Sequence, residues 1–103
     1  STPLYSSAAS DVYKRQMYES AILYVKMEEY DAAVSYLEDL LELYFDTDYA
    51  DKARLLIVDT YIIARKFEEA ETFLEENGNG FTDVAVLEEA KMLIENNRPE
   101  EEK

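Results

Sequence analysis

The chain has 103 residues, one domain's worth on a scale of roughly 100–200 residues per domain. With 48% apolar residues, two glycines and two prolines its composition is globular, and the absence of cysteine and histidine excludes disulfide staples, a structural zinc site and the commonest catalytic base and thiol. Against 10 Lys and Arg stand 24 Asp and Glu, a formal charge of −14, which turns the chain away from nucleic acid and anionic bilayers and toward polypeptide partners.

Residues 1–16, STPLYSSAASDVYKRQ, are serine-rich without sustained helical periodicity, and DVYKRQ resembles a sequencing-adapter scar, so this stretch is read as a non-native or disordered N-terminal segment. A native part beginning near Met17 is expected. From there apolar residues recur at three- and four-residue steps in a background of Ala, Leu, Glu, Lys and Met, which predicts helices and no strand. The first helix is expected over 17–27, with Ala21, Tyr24 and Val25 on its apolar face. The second is expected over 30–44, with Ala33, Val34, Leu37, Leu40 and Leu41 inward. YFDTD then supplies turn formers, Asp48 as a candidate N-cap and Asp51 near the positive end of a third helix that runs to about Ala64. A fourth helix spans about 67–76 and is expected to stop where Asn77-Gly78-Asn79-Gly80 takes a left-handed conformation. Thr82 or Asp83 starts a fifth, reaching about Glu95 with Val86, Leu87, Ala90, Leu93 and Ile94 on its apolar side. Residues 97–103, which hold Pro99 and a run of acids, are expected to be a disordered acidic tail.

A shift of 37 residues carries Tyr24, Tyr30 and Ala33 onto Tyr61, Phe67 and Ala70, and Ala21 and Leu37 onto Val58 and Leu74. The first helical hairpin is thus repeated by the second, and a fifth helix adds half a repeat. The predicted fold is all-α, a helical-hairpin solenoid of about two and a half repeats and five helices over 17–96. The small residue in each hairpin, Ala33 or Ala70, lets its two helices approach closely. The expected packing set is therefore Tyr24, Tyr30, Ala33, Leu37, Tyr61, Phe67, Ala70 and Leu74, with Phe73 also in the core.

An aromatic late in the first helix, followed by an aromatic and an alanine entering the second, resembles the tetratricopeptide repeat. Glu28 and Arg65 depart from it at the usual inter-helix glycine, Phe45 stands at the usual closing proline, and the period is 37 rather than 34. Within that family the loop YFDTDYADKA and the helix LIVDTY are similar to the C-terminal repeats of BamD-type outer-membrane assembly lipoproteins. That resemblance implies a scaffold at the periplasmic face of the outer membrane that holds other assembly components, its lipid-bearing region lying outside this chain. A periplasmic adaptor of the Tol-Pal or cell-division type, or a generic cytoplasmic adaptor, is the alternative.

No catalytic, cofactor-binding or metal-binding residue is expected. Paired acids such as Glu28-Glu29, Glu68-Glu69 and Glu88-Glu89 fall on polar helix faces, and Asp46, Asp48 and Asp51 lack the glycine and distal glutamate of a calcium loop. Direct membrane insertion is not expected, since no window holds the 18 or more apolar residues of a span. Partner-binding candidates are the first-helix residues left after packing positions are assigned: Tyr18, Ile22 and Val25, then Leu55, Asp59 and Ile62. This row reads equally as a concave binding groove and as the seat of a preceding repeat.

Overall fold

The computed structural model describes residues 7–44 and 48–98. Five α-helices follow one another: α1 (Ser7–Lys26), α2 (Tyr30–Leu43), α3 (Asp48–Ile63), α4 (Phe67–Asn77) and α5 (Val84–Asn96), with a 3-10 turn at Gly78–Gly80. The result is an all-α helical-repeat fold: α1 and α2 form one hairpin, α3 and α4 a second, and α5 an unpaired half repeat. Each helix packs on its neighbours in sequence, and α3, in contact with α1, α2, α4 and α5, is the central element.

The repeat extends to individual hydrogen bonds. At the end of α1 the Glu28 amide donates to the Val25 carbonyl and the Glu29 amide to the Tyr24 carbonyl; at the end of α3 Arg65 and Lys66 donate to Ile62 and Tyr61. Every member is displaced by 37 residues from its counterpart. In both turns the residue at the usual glycine position takes left-handed backbone, Glu28 with φ 65° and Arg65 with φ 67°. This is the Schellman termination, in which the left-handed residue allows two orphan carbonyls to be satisfied at once. Lys66 Nζ then bonds to Asp31 Oδ1 at 3.1 Å, linking the second turn to the start of α2.

Two cores result. The first gathers Met17 and Ala21 from α1, Val34, Leu37 and Leu40 from α2, and Ala53 and Ile57 from α3. The second gathers Val58, Ala70, Ala90 and Ile94 across α3, α4 and α5. Ala33 and Ala70 have no exposed surface, and neither do Leu37 and Leu40. The 37-residue shift continues into α5, carrying Ala53 onto Ala90 and Ile57 onto Ile94, all four buried.

The aromatic packing positions are half-buried rather than enclosed. Tyr24 stacks on Tyr36 with ring centroids 5.4 Å apart, and Tyr61 meets Phe73 edge-on at 6.5 Å. Phe67, Phe73, Tyr61 and Leu74 lean on the second core, whereas Tyr24 and Tyr30 belong to neither. Their phenol groups keep one end wet while the ring covers apolar surface.

Four local expectations are corrected. First, α1 begins at Ser7, so residues 7–16 are helical; no glycine or proline interrupts them, and Tyr13 and Lys14 hold this turn against the Tyr44 ring at 6.4 and 5.4 Å. The missing periodicity arises because Val12 and Tyr13 remain largely exposed. Second, no glycine has positive φ: α4 runs through Gly78 with φ −60° and ψ −35° into the 3-10 turn, and left-handed backbone sits at Glu28 and Arg65 instead. Third, Asp51 does not serve only its own helix end; it is buried and reaches across to the start of α5. Fourth, the acidic tail is ordered through Arg98, which pairs with Glu71 at 3.2 Å and Glu95 at 3.5 Å and lies over the Phe67 ring. The assignments for Phe45, Asp46 and residues 99–103 lie outside the described residues.

Candidate functional site

Because α1, α3 and α5 are the first helices of successive repeats, their outward residues form one row across the molecule. On it lies an open cleft of ≈ 240 Å³ lined by Tyr18 from α1, Leu55, Leu56 and Asp59 from α3, and Glu89 and Leu93 from α5. Tyr18 and Leu56 lean on the first core and Leu55 on the second, so the walls are backed by rigid structure. Tyr18 is further fixed by an edge-on contact with Tyr49 at 5.7 Å.

Apolar walls surround two carboxyl groups. Among the described residues no basic side chain lines the cleft; Lys52 holds its ammonium over the Tyr49 ring, 5.1 Å from the centroid. Burial pushes the Asp59 carboxyl above its ordinary value. The Tyr18 hydroxyl is also pushed up, by burial first and then by the neighbouring Tyr49 and Asp59. Asp59 has neither a hydrogen bond nor an ion pair among the described residues, although it is half-buried. A carboxylate that loses water without gaining a donor is held at a cost.

Of the residues expected to face a groove, the cleft brings together Tyr18, Leu55 and Asp59. Ile22, Val25 and Ile62 do not line it; they are half-buried, and Ile62 packs on the second core. Leu56, Glu89 and Leu93 were missed as cleft residues by sequence reasoning. The 37-residue shift relates Leu56 to Leu93, but it carries the expected row Leu55 and Asp59 onto Met92 and Asn96, both exposed and outside the cleft, so the repeat pattern alone does not point to the α5 residues.

The cleft is held open by a polar clasp at the opposite end of α3 from the turn at Arg65. Asp51, 3% exposed, accepts from the Thr82 amide at 3.0 Å, the Thr82 hydroxyl at 2.9 Å, the Asp83 amide at 2.8 Å and Arg54 Nη1 at 3.4 Å. Asp83 in turn caps α5, its Oδ1 accepting from the Ala85 amide at 2.9 Å. Gly80 leaves room for the guanidinium, since a Cβ there would stand 3.0 Å from Arg54 Nη2. Asp51 thus fixes where α5 starts, and with it Glu89 and Leu93.

A larger cleft of ≈ 600 Å³ separates α4 from α5, lined by Glu71, Leu74, Lys91, Ile94 and Arg98 among others. Its two cations are already engaged, Arg98 with Glu71 and Glu95 and Lys91 with Glu88 at 3.8 Å. Among the described residues no group of three acidic side chains is placed to hold a metal, and no helix is long and apolar enough to cross a membrane.

Comparisons with protein-family models, curated proteins and solved structures return no match to this chain.

Proposed function

We propose that the chain is a non-enzymatic protein-interaction scaffold of the tetratricopeptide type, acting through the face formed by α1, α3 and α5, and that it is part of a BamD-like component of the outer-membrane β-barrel assembly machinery. The observation that carries the scaffold reading is the joint cleft: three successive first helices contribute to one rigid, partly apolar surface. Helical repeats use such surfaces to seat polypeptides. At ≈ 240 Å³ and open to solvent, the cleft is smaller than the roughly 300–1,000 Å³ of small-molecule sites, so it suits an anchoring side chain better than an enclosed substrate. The BamD-like assignment draws on the resemblance of YFDTDYADKA and LIVDTY, and it places the work at the periplasmic face of the outer membrane with other assembly proteins as partners.

Photo-crosslinking tests this reading. A photoreactive phenylalanine analogue at Leu56, with the chain expressed in the envelope of a Gram-negative cell, is expected to crosslink to the barrel-forming subunit of the assembly machinery. The same analogue at Glu76 on α4, away from the cleft, is expected not to. Equal crosslinking at both positions, or none at Leu56, contradicts the proposal.

A further inference from the structure

The chemistry of the cleft narrows what can occupy it. Leu55, Leu56 and Leu93 offer apolar walls, while Asp59 and Glu89 are the only charged residues lining it among the described residues and both are acidic. Glu89 is exposed, but Asp59 is already half-desolvated and lacks a hydrogen-bond donor or cation among the described residues. A wholly apolar segment seated here would strip the remaining water from Asp59 and leave a buried, unpaired carboxylate. An acidic segment would add repulsion to that cost, both locally and from a chain whose formal charge is −14. A segment carrying a cation on a long aliphatic stem meets both requirements, since the stem lies along leucines while the head reaches the carboxylates.

We propose that the cleft takes the lysine or arginine side chain of an otherwise apolar polypeptide segment, its cation between Asp59 and Glu89 and its flanking residues on Leu55, Leu56 and Leu93. The inference rests on the concave-face reading and adds to it the chemistry of the anchor. The two carboxylates come from different helices, Asp59 from α3 and Glu89 from α5, so the anchor site exists only while the Asp51 clasp keeps α5 in place. Tyr18 closes one side, and its hydroxyl is available as a further donor or acceptor for the segment's backbone.

The test uses the full chain and three fluorescein-labelled peptides, Ser-Leu-Leu-Xaa-Leu-Leu-Ser, in which Xaa is lysine, norleucine or glutamate. Fluorescence anisotropy is expected to give the lysine peptide about tenfold tighter binding than the other two, the scale of one charge-assisted contact. Asp59→Asn should reduce that preference to about twofold or less while the protein melts at or above the parent temperature, and Glu89→Gln, an exposed change, should reduce it in part. A norleucine peptide that binds as tightly as the lysine peptide overturns the cationic anchor and leaves the concave-face reading standing. Absence of binding by all three peptides also overturns the anchor, while the crosslinking at Leu56 still decides the broader reading. Lysine-selective binding that survives both Asp59→Asn and Leu55→Glu lies elsewhere on the acidic surface, overturning the anchor and counting against the concave face.

Discussion

At Glu28 and Arg65 the backbone adopts a conformation that costs an L-residue about 1–2 kcal/mol and glycine almost nothing. Glu28→Gly and Arg65→Gly are each expected to raise stability by roughly 0.5–1 kcal/mol, measured by chemical denaturation, with the two gains adding because the turns are separate. The clasp at Asp51 responds in the opposite sense and unequally. Asp51→Ala leaves Arg54 buried without its partner and removes three further hydrogen bonds, an expected loss of about 3–5 kcal/mol. Arg54→Met should cost far less, because Asp51 keeps its Thr82 and Asp83 donors and the buried, unpartnered Arg54 Nε disappears. The first repeat already uses this solution, with buried Met17 standing 37 residues before Arg54. Asp59 predicts a pH effect. Its folded-state pKa lies above the unfolded one, so the folded state binds more protons over the interval from the ordinary carboxylate value upward, and stability falls as pH rises through that interval. Asp59→Asn should therefore stabilise the protein at neutral pH and flatten its stability over the interval just above the ordinary carboxylate value, as thermal melts from acid to neutral pH would register.

Among the elements, α1 differs most from what the sequence alone conveys. Removing residues 1–16 is expected to preserve the fold but to lower its stability by roughly 1–2 kcal/mol, the scale of the aromatic and cation contacts that Tyr13 and Lys14 make on Tyr44. Circular dichroism with a thermal melt separates this from collapse. The two hairpins were legible because their signal is periodic: Ala33, Leu37, Ala70 and Leu74 fall on one stripe, and a constant shift relates the pairs. The early start of α1 was not, because a solvated helical turn carries no stripe. The left-handed positions were marked in the sequence only as departures from the usual inter-helix glycine, because neither side chain signals that backbone. Asn77-Gly78-Asn79-Gly80 has the composition of a stop signal, whereas Glu28 and Arg65 are forced into that conformation by the hairpin geometry around them. The cleft was half legible: Tyr18, Leu55 and Asp59 follow from subtracting packing positions, but α5 supplies Glu89 and Leu93 only through a tertiary clasp between Asp51 and Thr82-Asp83 that no local pattern announces.

For the molecule as a whole, repetition is what converts marginal pieces into a surface. Neither hairpin can bury both of its faces alone, and the central α3 is shared by both cores, so stability and the cleft depend on the same helix contacts. Ala33→Arg or Ala70→Arg, each at a site with no exposed area, should overpack a hairpin and cost roughly 1–3 kcal/mol or more in a denaturant titration. The excess of negative charge is spread over solvated helix faces, so binding through Asp59 and Glu89 should weaken with added salt more than the fold does. The most direct test of the central claim, that this chain binds protein through the face of α1, α3 and α5, is calorimetric titration of the purified periplasmic region of the barrel-forming assembly subunit. Parent protein is compared with Leu55→Glu in the cleft and with Leu43→Glu on exposed α2 surface. The account predicts that Leu55→Glu weakens binding by about tenfold or more while Leu43→Glu binds as the parent does. Equal affinity for all three proteins, or a loss confined to Leu43→Glu, would contradict it.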